Sequence, residues 1–187
     1  MRRISVLAIG LVIIIVAAAT IVVVYTRMSS ARVTTVRIEP ESVGQLSVDD
    51  TFTVNVTVEN CADIYAVQCD VRYDPEVLNA INVSEGSFLR SAGLTTFLST
   101  PNETLNTTSS LSARVFFVDT KSGLSLPDAS GNGVLLTITF QVIAGGSSEL
   151  QVFPYPGGDA AVGTYFMRRD KTEIIPELHD SSYAGPP

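Results

Sequence analysis

The sequence has few of the side chains on which enzyme active sites depend. It contains no tryptophan, two cysteines and one histidine in 187 residues, and the histidine, His179, lies close to the C-terminus. It has no G-x-S-x-G element, no cysteine–histidine pair in catalytic order and no zinc-ligand spacing. Carboxylates are plentiful, but no pair of them is distinguished by its sequence context. We therefore predict that the protein is not an enzyme and has no catalytic residue and no cofactor.

Basic residues are scarce as well. Three of the 12 lysines and arginines lie in the first 27 residues, which contain no acidic residue, so the remainder carries 19 acidic against 9 basic residues. Such an excess of negative charge repels nucleic acid and anionic lipid head groups. The composition therefore excludes a nucleic-acid partner, and it favours solubility as the role of the surface charge.

Residues Ile4–Tyr25 form a run of 22 residues without a charge. As a helix with a rise of ~1.5 Å per residue, this run is long enough for a hydrocarbon core of ~30 Å. It exceeds the ~7–15 apolar residues of a signal peptide, although Ala17-Ala18-Ala19 resembles a cleavage site within it, so cleavage stays open. We predict a cytoplasmic stub (residues 1–3), a single transmembrane helix (residues 4–25) and a linker (residues 26–32), with the domain outside the cell at the cell membrane.

Beyond the linker, apolar and polar residues alternate with the period of β-strands that have one face in a core. The clearest runs are Thr51–Glu59, Ile64–Tyr73 and Gly133–Ala144. Their predicted core faces comprise Phe52, Val54, Val56 and Val58; Val67, Cys69, Val71 and Tyr73; and Val134, Leu136, Ile138, Phe140 and Val142. Frequent turn residues and the absence of an amphipathic helical pattern predict an all-β sandwich over residues 33–178, followed by a flexible tail at residues 179–187.

Two blocks of sequence resemble a known family. The first is Arg-Tyr-Asp-Pro at residues 72–75, followed by Glu-Val-Leu and then by Glu-Gly-Ser-Phe-Leu at residues 85–89; the second is the run Ser130–Leu150. Both are similar to blocks of cohesin domains, the β-sandwich modules that bind dockerins on extracellular enzymes. The resemblance covers residues 33–152 and implies a cohesin-like jelly-roll β-sandwich. After Pro154 the sequence departs from the family, and we expect residues 155–176 to supply the closing strand.

The resemblance also implies where a partner docks. Dockerins bind the outer face of one sheet, in which we expect the strand Ile64–Tyr73 and the strands at residues 111–119 and 133–144. Alternation along these strands predicts an outward set of partner-binding residues: Ala66, Gln68, Asp70, Arg72, Arg114, Phe116, Val118, Leu135, Thr137, Thr139 and Gln141. Apolar residues within a polar rim are typical of recognition surfaces. The alternative is that a loop or the C-terminal segment covers this face.

These patterns predict a membrane-anchored extracellular module that binds a dockerin-like protein partner. Two alternatives remain open. One is a module that binds polysaccharide, for which Tyr155, Tyr165 and Phe166 are the available rings in a chain without tryptophan. The other is a structural subunit of a surface layer or filament, in which the apolar N-terminal run packs within an assembly.

Four N-x-[ST] sequons support a location at the cell surface, and they predict glycosylation at Asn55, Asn82, Asn102 and Asn106.

Two further expectations concern cysteines and metals. Cys69 faces the predicted core, whereas Cys61 precedes its strand in a turn, so we expect no disulfide between them. Asp119, Asp128 and Asn132 could gather around a calcium ion, but the spacing of an EF-hand loop is absent. We therefore predict no metal site.

Overall fold

The computed structural model describes residues 33–105, 109–123, 127–157 and 162–186. The predicted stub, transmembrane helix and linker at residues 1–32 lie outside these ranges, as does the sequon at Asn106. Within the described ranges, no helix is both long enough and apolar enough to span a membrane.

The described residues form 13 strands and one short helix. In chain order they are β1 (Thr35–Glu39), β2 (Ser42–Val43), β3 (Thr51–Ile64), β4 (Ala66–Tyr73), β5 (Leu78–Glu85), α1 (Ser87–Arg90), β6 (Thr95–Thr104), β7 (Ala113–Lys121), β8 (Ala129–Val142), β9 (Ser147–Val152), β10 (Tyr165–Met167), β11 (Glu173–Ile174), β12 (Glu177–His179) and β13 (Ser181–Ala184).

The strands form two sheets, which confirms the predicted all-β sandwich. Sheet 1 has the order β12-β1-β3-β8-β5. Sheet 2 has the order β11-β10-β4-β9-β13-β2, and β7 pairs with β4 while β6 pairs with β7. Two of the pairings are parallel, β1 with β12 and β13 with β2. Strand β4 is therefore bordered by β7 on one side and by β10 and β9 on the other.

The core lies between the sheets and is made of the side chains that the alternation predicts. The following residues are at most 1% exposed: Val54, Val56 and Val58 on β3; Val67, Cys69, Val71 and Tyr73 on β4; and Leu136, Ile138, Phe140 and Val142 on β8. Fully burying one such aliphatic or aromatic side chain contributes about 1.5–3 kcal/mol. Phe52 packs against this core at its margin.

One prediction about the sheets is wrong. The strand at residues 133–144 pairs with β3 and β5 in sheet 1, whereas β4 and β7 lie in sheet 2. Leu135, Thr137, Thr139 and Gln141 therefore do not share a face with Gln68 and Arg114. Alternation shows that a strand has a buried face, but it does not show which neighbour the strand pairs with.

A bulge in the pairing of β3 with β8 explains two further differences. Val56 lies opposite Leu136, but the next residue, Thr57, lies opposite Val134, so the register shifts by one residue. Val134 is consequently only half-buried. Leu135, predicted to face outward, is 3% exposed; α1 packs close by, with Phe88 against Gly133.

The C-terminal predictions are wrong in two respects. Strands β10 and β11 pair in a hairpin around Arg169-Asp170. The closing strands, however, are β12 and β13 rather than residues 155–176. The tail predicted to be flexible from residue 179 is ordered: Tyr183 is fully buried, and its ring stacks on Phe52 with centroids 5.4 Å apart. A four-residue strand is too short for its alternation to be recognised in the sequence.

Candidate docking surface

Strands β4, β7 and β6 bring their outward side chains into aligned rows. In the pairing of β4 with β7, Gln68 lies opposite Val118, Asp70 opposite Phe116, and Arg72 opposite Arg114. Strand β6 extends the rows with Leu98 opposite Val118, Thr100 opposite Phe116, and Glu103 opposite Arg114. The structure therefore unites the predicted residues of β4 and β7 and adds β6, which was not part of the predicted docking face.

A charged row crosses one end of this face. The Arg114 guanidinium donates to both carboxylate oxygens of Glu103 at 2.9 Å and to Asp70 Oδ2 at 3.2 Å. Arg72 Nη2 lies 3.4 Å from the same Oδ2 atom. Burial alone lowers the pKa of Arg114, but Glu103 and Asp70 outweigh it and raise the pKa, so the guanidinium remains charged.

Aromatic rings support both arginines of the row. The Arg72 guanidinium carbon lies 3.0 Å from the ring centroid of Phe153, and that of Arg114 lies 4.7 Å from the ring centroid of Phe116. Stacking on a ring fixes the plane of a guanidinium as well as neutralising part of its desolvation cost. The row is consequently a rigid feature of the surface.

The chain itself covers the centre of the face. The Gln68 amide donates to the Gly163 carbonyl at 3.1 Å, and the Gly163 N–H donates to Asp70 Oδ2 at 3.3 Å. As a result Gln68 is 9% exposed and Asp70 is not exposed at all. Gly163 has a φ of 85°, and a Cβ at this position would overlap with the backbone of Pro154 and Tyr155, which is why glycine is required at this close approach.

The alternative, that another part of the chain covers the predicted docking face, is therefore correct for the centre of that face, which the segment at Gly163 covers. Of the predicted residues on β4 and β7, three are buried and lie beneath the surface: Gln68, Asp70 and Arg114. Ala66, Arg72, Phe116 and Val118 keep partial exposure.

An open apolar region lies beside the covered centre. A hollow of about 70 Å³ is lined by Ala66, Val67, Gln68, Val118, Tyr165 and Met167. Leu98, the neighbour of Val118 on β6, is 67% exposed. We call the set Leu98, Val118, Ala66, Tyr165 and Met167 the outer patch. Tyr165 and Met167 come from β10, so this region extends from β6 across the sheet to β10.

The rings named for polysaccharide binding do not form a platform. Tyr155 and Tyr165 pack against each other with centroids 4.6 Å apart and an interplanar angle of 34°. Phe166 is fully buried. Two rings that cover each other and a third in the core do not form a row of coplanar ring faces on which a sugar could stack.

The outer face of sheet 1, where the other predicted residues lie, is polar, and its side chains form hydrogen bonds with one another. The Thr137 hydroxyl donates to Asn55 Oδ1 at 2.8 Å. The hydroxyls of Thr139 and Thr53 are 3.3 Å apart, and Gln141 donates to Asp49 at 3.4 Å.

The described sequons differ in the state of their asparagines. Asn82 is exposed on β5, and Asn55 is half-buried on β3. Asn102 is engaged: its Nδ2 donates to the Ala80 carbonyl at 2.6 Å, and its Oδ1 accepts from the Ala80 N–H at 2.9 Å and from the Tyr73 hydroxyl. The nitrogen that a glycan would modify is thus committed to holding β6 against β5.

Cys61 and Cys69 are both free and buried in the structure. Burial raises the pKa of each thiol to about 12. Because the thiolate is the reactive form, both side chains act as small apolar core residues. In the part of the chain that the structure describes, no three acidic, histidine or cysteine side chains converge as a metal site would require.

Comparison with known proteins agrees with this architecture. The family model described as the Cohesin domain matches residues 36–153, which is more than half of the chain. No curated protein matches the sequence.

Several solved structures share the fold. One is a non-cellulosomal cohesin from the archaeon Archaeoglobus fulgidus, with a TM-score of 0.59, 16% identity and coverage of 81% of this chain and 90% of that chain. A type II cohesin from the cellulosome of Acetivibrio cellulolyticus has a TM-score of 0.61 and 15% identity, over 81% of this chain and 95% of that chain. A chain of the Coh-OlpA–Doc918 type I cohesin–dockerin complex from Clostridium thermocellum has a TM-score of 0.58 and 16% identity, over 82% of this chain and 99% of that chain. At these identities the likeness shows the fold.

Proposed function

The chain belongs to the cohesin domain family, and we propose that it is a protein-binding module that receives a dockerin-type partner on the outer patch. Cohesins of the same fold have been solved as complexes with dockerins, among them the third cohesin of ScaC with the ScaB dockerin from Acetivibrio cellulolyticus. That relationship supports the class of partner. The position of the docking site rests on this chain's own surface.

The observation that carries the proposal is the exposure of Leu98 beside the apolar hollow. A leucine side chain that is 67% exposed on a flat sheet face gains free energy when a partner covers it, at about 25 cal/mol per Å² of apolar area. The adjoining hollow has room for the end of one aliphatic side chain from the partner. Apolar anchors in pockets at the centre of an interface supply most of the binding energy in protein complexes.

The surrounding residues suit the rim of such an interface. Thr96, Thr100 and Thr120 lie on the same face as Leu98 and Val118, and their hydroxyls can form hydrogen bonds with a partner. The charged row of Arg114, Glu103, Asp70 and Arg72 is already paired within the domain. Because its members do not need to reorganise, the face is ready for docking, which reduces the entropy lost on binding. Binding would act through surface complementarity and would involve no chemical step.

The binding experiment compares two matched variants of the full-length chain against a panel of immobilised dockerin modules. Leu98→Asp places a carboxylate in the outer patch, where burial without a partner is costly. Ile81→Asp is the control, because Ile81 is also an exposed aliphatic residue, 49% exposed, but lies on β5 in sheet 1.

We expect at least one dockerin to be retained by the wild type and by Ile81→Asp, and to bind Leu98→Asp more weakly by about tenfold or more, which is ~1.4 kcal/mol. If folded wild-type protein retains no dockerin of the panel, the proposed partner class is wrong. Equal binding by Leu98→Asp and the wild type would show that docking occurs elsewhere.

The proposal includes a location. We propose that the uncharged run Ile4–Tyr25 anchors the chain in the cell membrane and that the sandwich lies outside the cell. The length of the run, the acidic composition of the remainder and the sequons support this placement. Protease treatment of intact cells is the test: digestion of the domain is expected, and its full protection until lysis would contradict the placement.

A further inference from the structure

Behind the docking face, two carboxyl groups meet where β5, α1, β6 and β7 converge. Asp119 lies on the inward face of β7 and is 3% exposed. Its carboxyl group is within hydrogen-bond reach of the Glu85 carboxyl group at the end of β5. The Oδ1 atom of Asp119 is buried and has no hydrogen-bond partner. Two ionised carboxylates so close together repel each other strongly in a buried setting.

Two groups offset that repulsion in part: the Thr120 N–H, which donates to Asp119, and the Arg90 cation. From α1, Arg90 Nε lies 3.8 Å from Glu85 Oε2, but the Arg90 side chain is 64% exposed. From β6, the Thr95 hydroxyl donates to Glu85 Oε1. From β4, the residue paired with Asp119 is the apolar Val67. Among the residues that the structure describes, Arg90 is the cation whose charge favours ionisation of Asp119.

Lys121 is the other charged side chain on the inward face of β7, and it forms its contacts elsewhere. Its ammonium group donates to the Ala92 carbonyl in the connection between α1 and β6, and the charges that act on it are those of Asp128 and Arg169. It does not neutralise the carboxyl pair.

Burial, and after it the charge of Glu85, raises the pKa of Asp119 to about 7. A value near 7 means that Asp119 holds a proton in mildly acidic solution. The protonated Asp119 then donates a hydrogen bond to the Glu85 carboxylate, which in turn accepts from Thr95 and pairs with Arg90. This chain of contacts connects β7 to the first residue of β6.

We propose that Asp119 carries a proton directed at the Glu85 carboxylate and that release of this proton to water loosens the start of β6 from β7, which makes the edge of sheet 2 sensitive to pH. Once both groups are charged, Glu85 is the one that can turn toward solvent, since its side chain is 16% exposed whereas Asp119 is nearly inaccessible. Turning away breaks the hydrogen bond with Thr95. The connection before β6 remains held by Lys121 and by the Ser122 N–H, which donates to the Leu94 carbonyl at 2.8 Å.

The direction of the effect follows from linkage. The pKa of Asp119 is higher in the folded protein than in the opened or unfolded chain, where it has the ordinary value of about 3.9. The stabilisation is therefore fully present below that value, declines as the pH rises toward 7, and is constant above 7. Leu98 lies three residues beyond Thr95, so weaker partner binding at high pH would follow; this consequence alone rests on the proposed function.

Hydrogen exchange of the full-length chain in mild detergent tests the proposal without a partner. The readout is the opening equilibrium of the amides of residues 95–100, corrected for the intrinsic pH dependence of exchange, between about pH 5 and about pH 8. The variants are Asp119→Asn, which keeps a donor toward Glu85 but has no titrating proton, and Glu149→Gln, an exposed acid on β9 that serves as the control.

In the wild type and in Glu149→Gln, opening should increase by up to about tenfold per pH unit as the pH rises to 7 and then level off. In Asp119→Asn it should be independent of pH. Equal pH dependence in Asp119→Asn, or none in the wild type, overturns the proposal. If Asp119→Asn does not fold, carbon-13 titration of the wild-type Asp119 carboxyl decides: a midpoint near 7 is expected, and one below about 5 overturns the proposal.

Discussion

Arg114 donates a hydrogen bond of 3.2 Å to Asp70, a carboxylate with no exposure to solvent, and the bond joins β7 to β4 at the centre of sheet 2. The same carboxylate also pairs with Arg72. A buried ion pair stabilises little relative to apolar residues of the same shape, but loss of one partner leaves an uncompensated charge. The position of Asp70 therefore makes it the residue on which the charged row depends.

We predict that Asp70→Ala lowers the free energy of unfolding by about 3–5 kcal/mol, because two arginines lose their shared partner in a buried setting. Urea denaturation measures this change. Glu103→Gln is the control: Glu103 also pairs with Arg114, but its side chain is 39% exposed, so a change within about 1 kcal/mol is expected. If Asp70→Ala is as stable as Glu103→Gln, the row has no structural role.

Asn102 allows a structural role to be separated from glycosylation. Asn102→Ala should lower the free energy of unfolding by about 1–3 kcal/mol, because the buried Tyr73 hydroxyl and the backbone of Ala80 lose their partners. Thr104→Ala abolishes the same sequon but leaves the Asn102 amide in place, so we expect it to be near neutral. Protein from a host that does not glycosylate it, unfolded in urea, provides the comparison; equal losses in both variants would contradict the structural role.

Gly86 is predicted to tolerate no side chain. A Cβ at this position would overlap with the backbone oxygen of Val134, and the Gly86 N–H donates to the Leu135 carbonyl at 2.8 Å. Because backbone atoms cannot move aside as a flexible side chain can, Gly86→Ala should lower the free energy of unfolding by about 1–3 kcal/mol. Gly44→Ala is the matched control, since a Cβ at Gly44 would meet no atom within 4 Å. Thermal unfolding of the two variants should differ accordingly; equal midpoints would mean that the chain can shift at Gly86.

The sequence was sufficient to predict which residues form the core, but it was insufficient to predict which strands share the docking face. A period of two residues identified Val67, Cys69 and Val71 as buried, because one-sided burial leaves that pattern in any sandwich strand. The pattern could not show that β8 pairs with β3, because pairing depends on contacts between segments distant in sequence.

The positions of some other residues could not be predicted from the sequence, for related reasons. Leu98 escaped notice because the surrounding strand, Thr95–Thr104, has one large apolar residue on its outward side. Gln68 was expected to be open, but it is covered by Gly163, which lies 95 residues later in the chain. Tyr183 was assigned to a flexible tail, since nothing near it in sequence indicates its stacking on Phe52.

The most direct test of the account is the hydrogen-exchange footprint of a bound dockerin on the full-length chain. If the outer patch is the docking site, binding slows exchange in residues 95–104 and 113–121, which form β6 and β7, and leaves residues 51–64 and 129–142 of sheet 1 unchanged. Slowed exchange confined to β3 and β8 would place the partner on the opposite face of the sandwich and contradict the account.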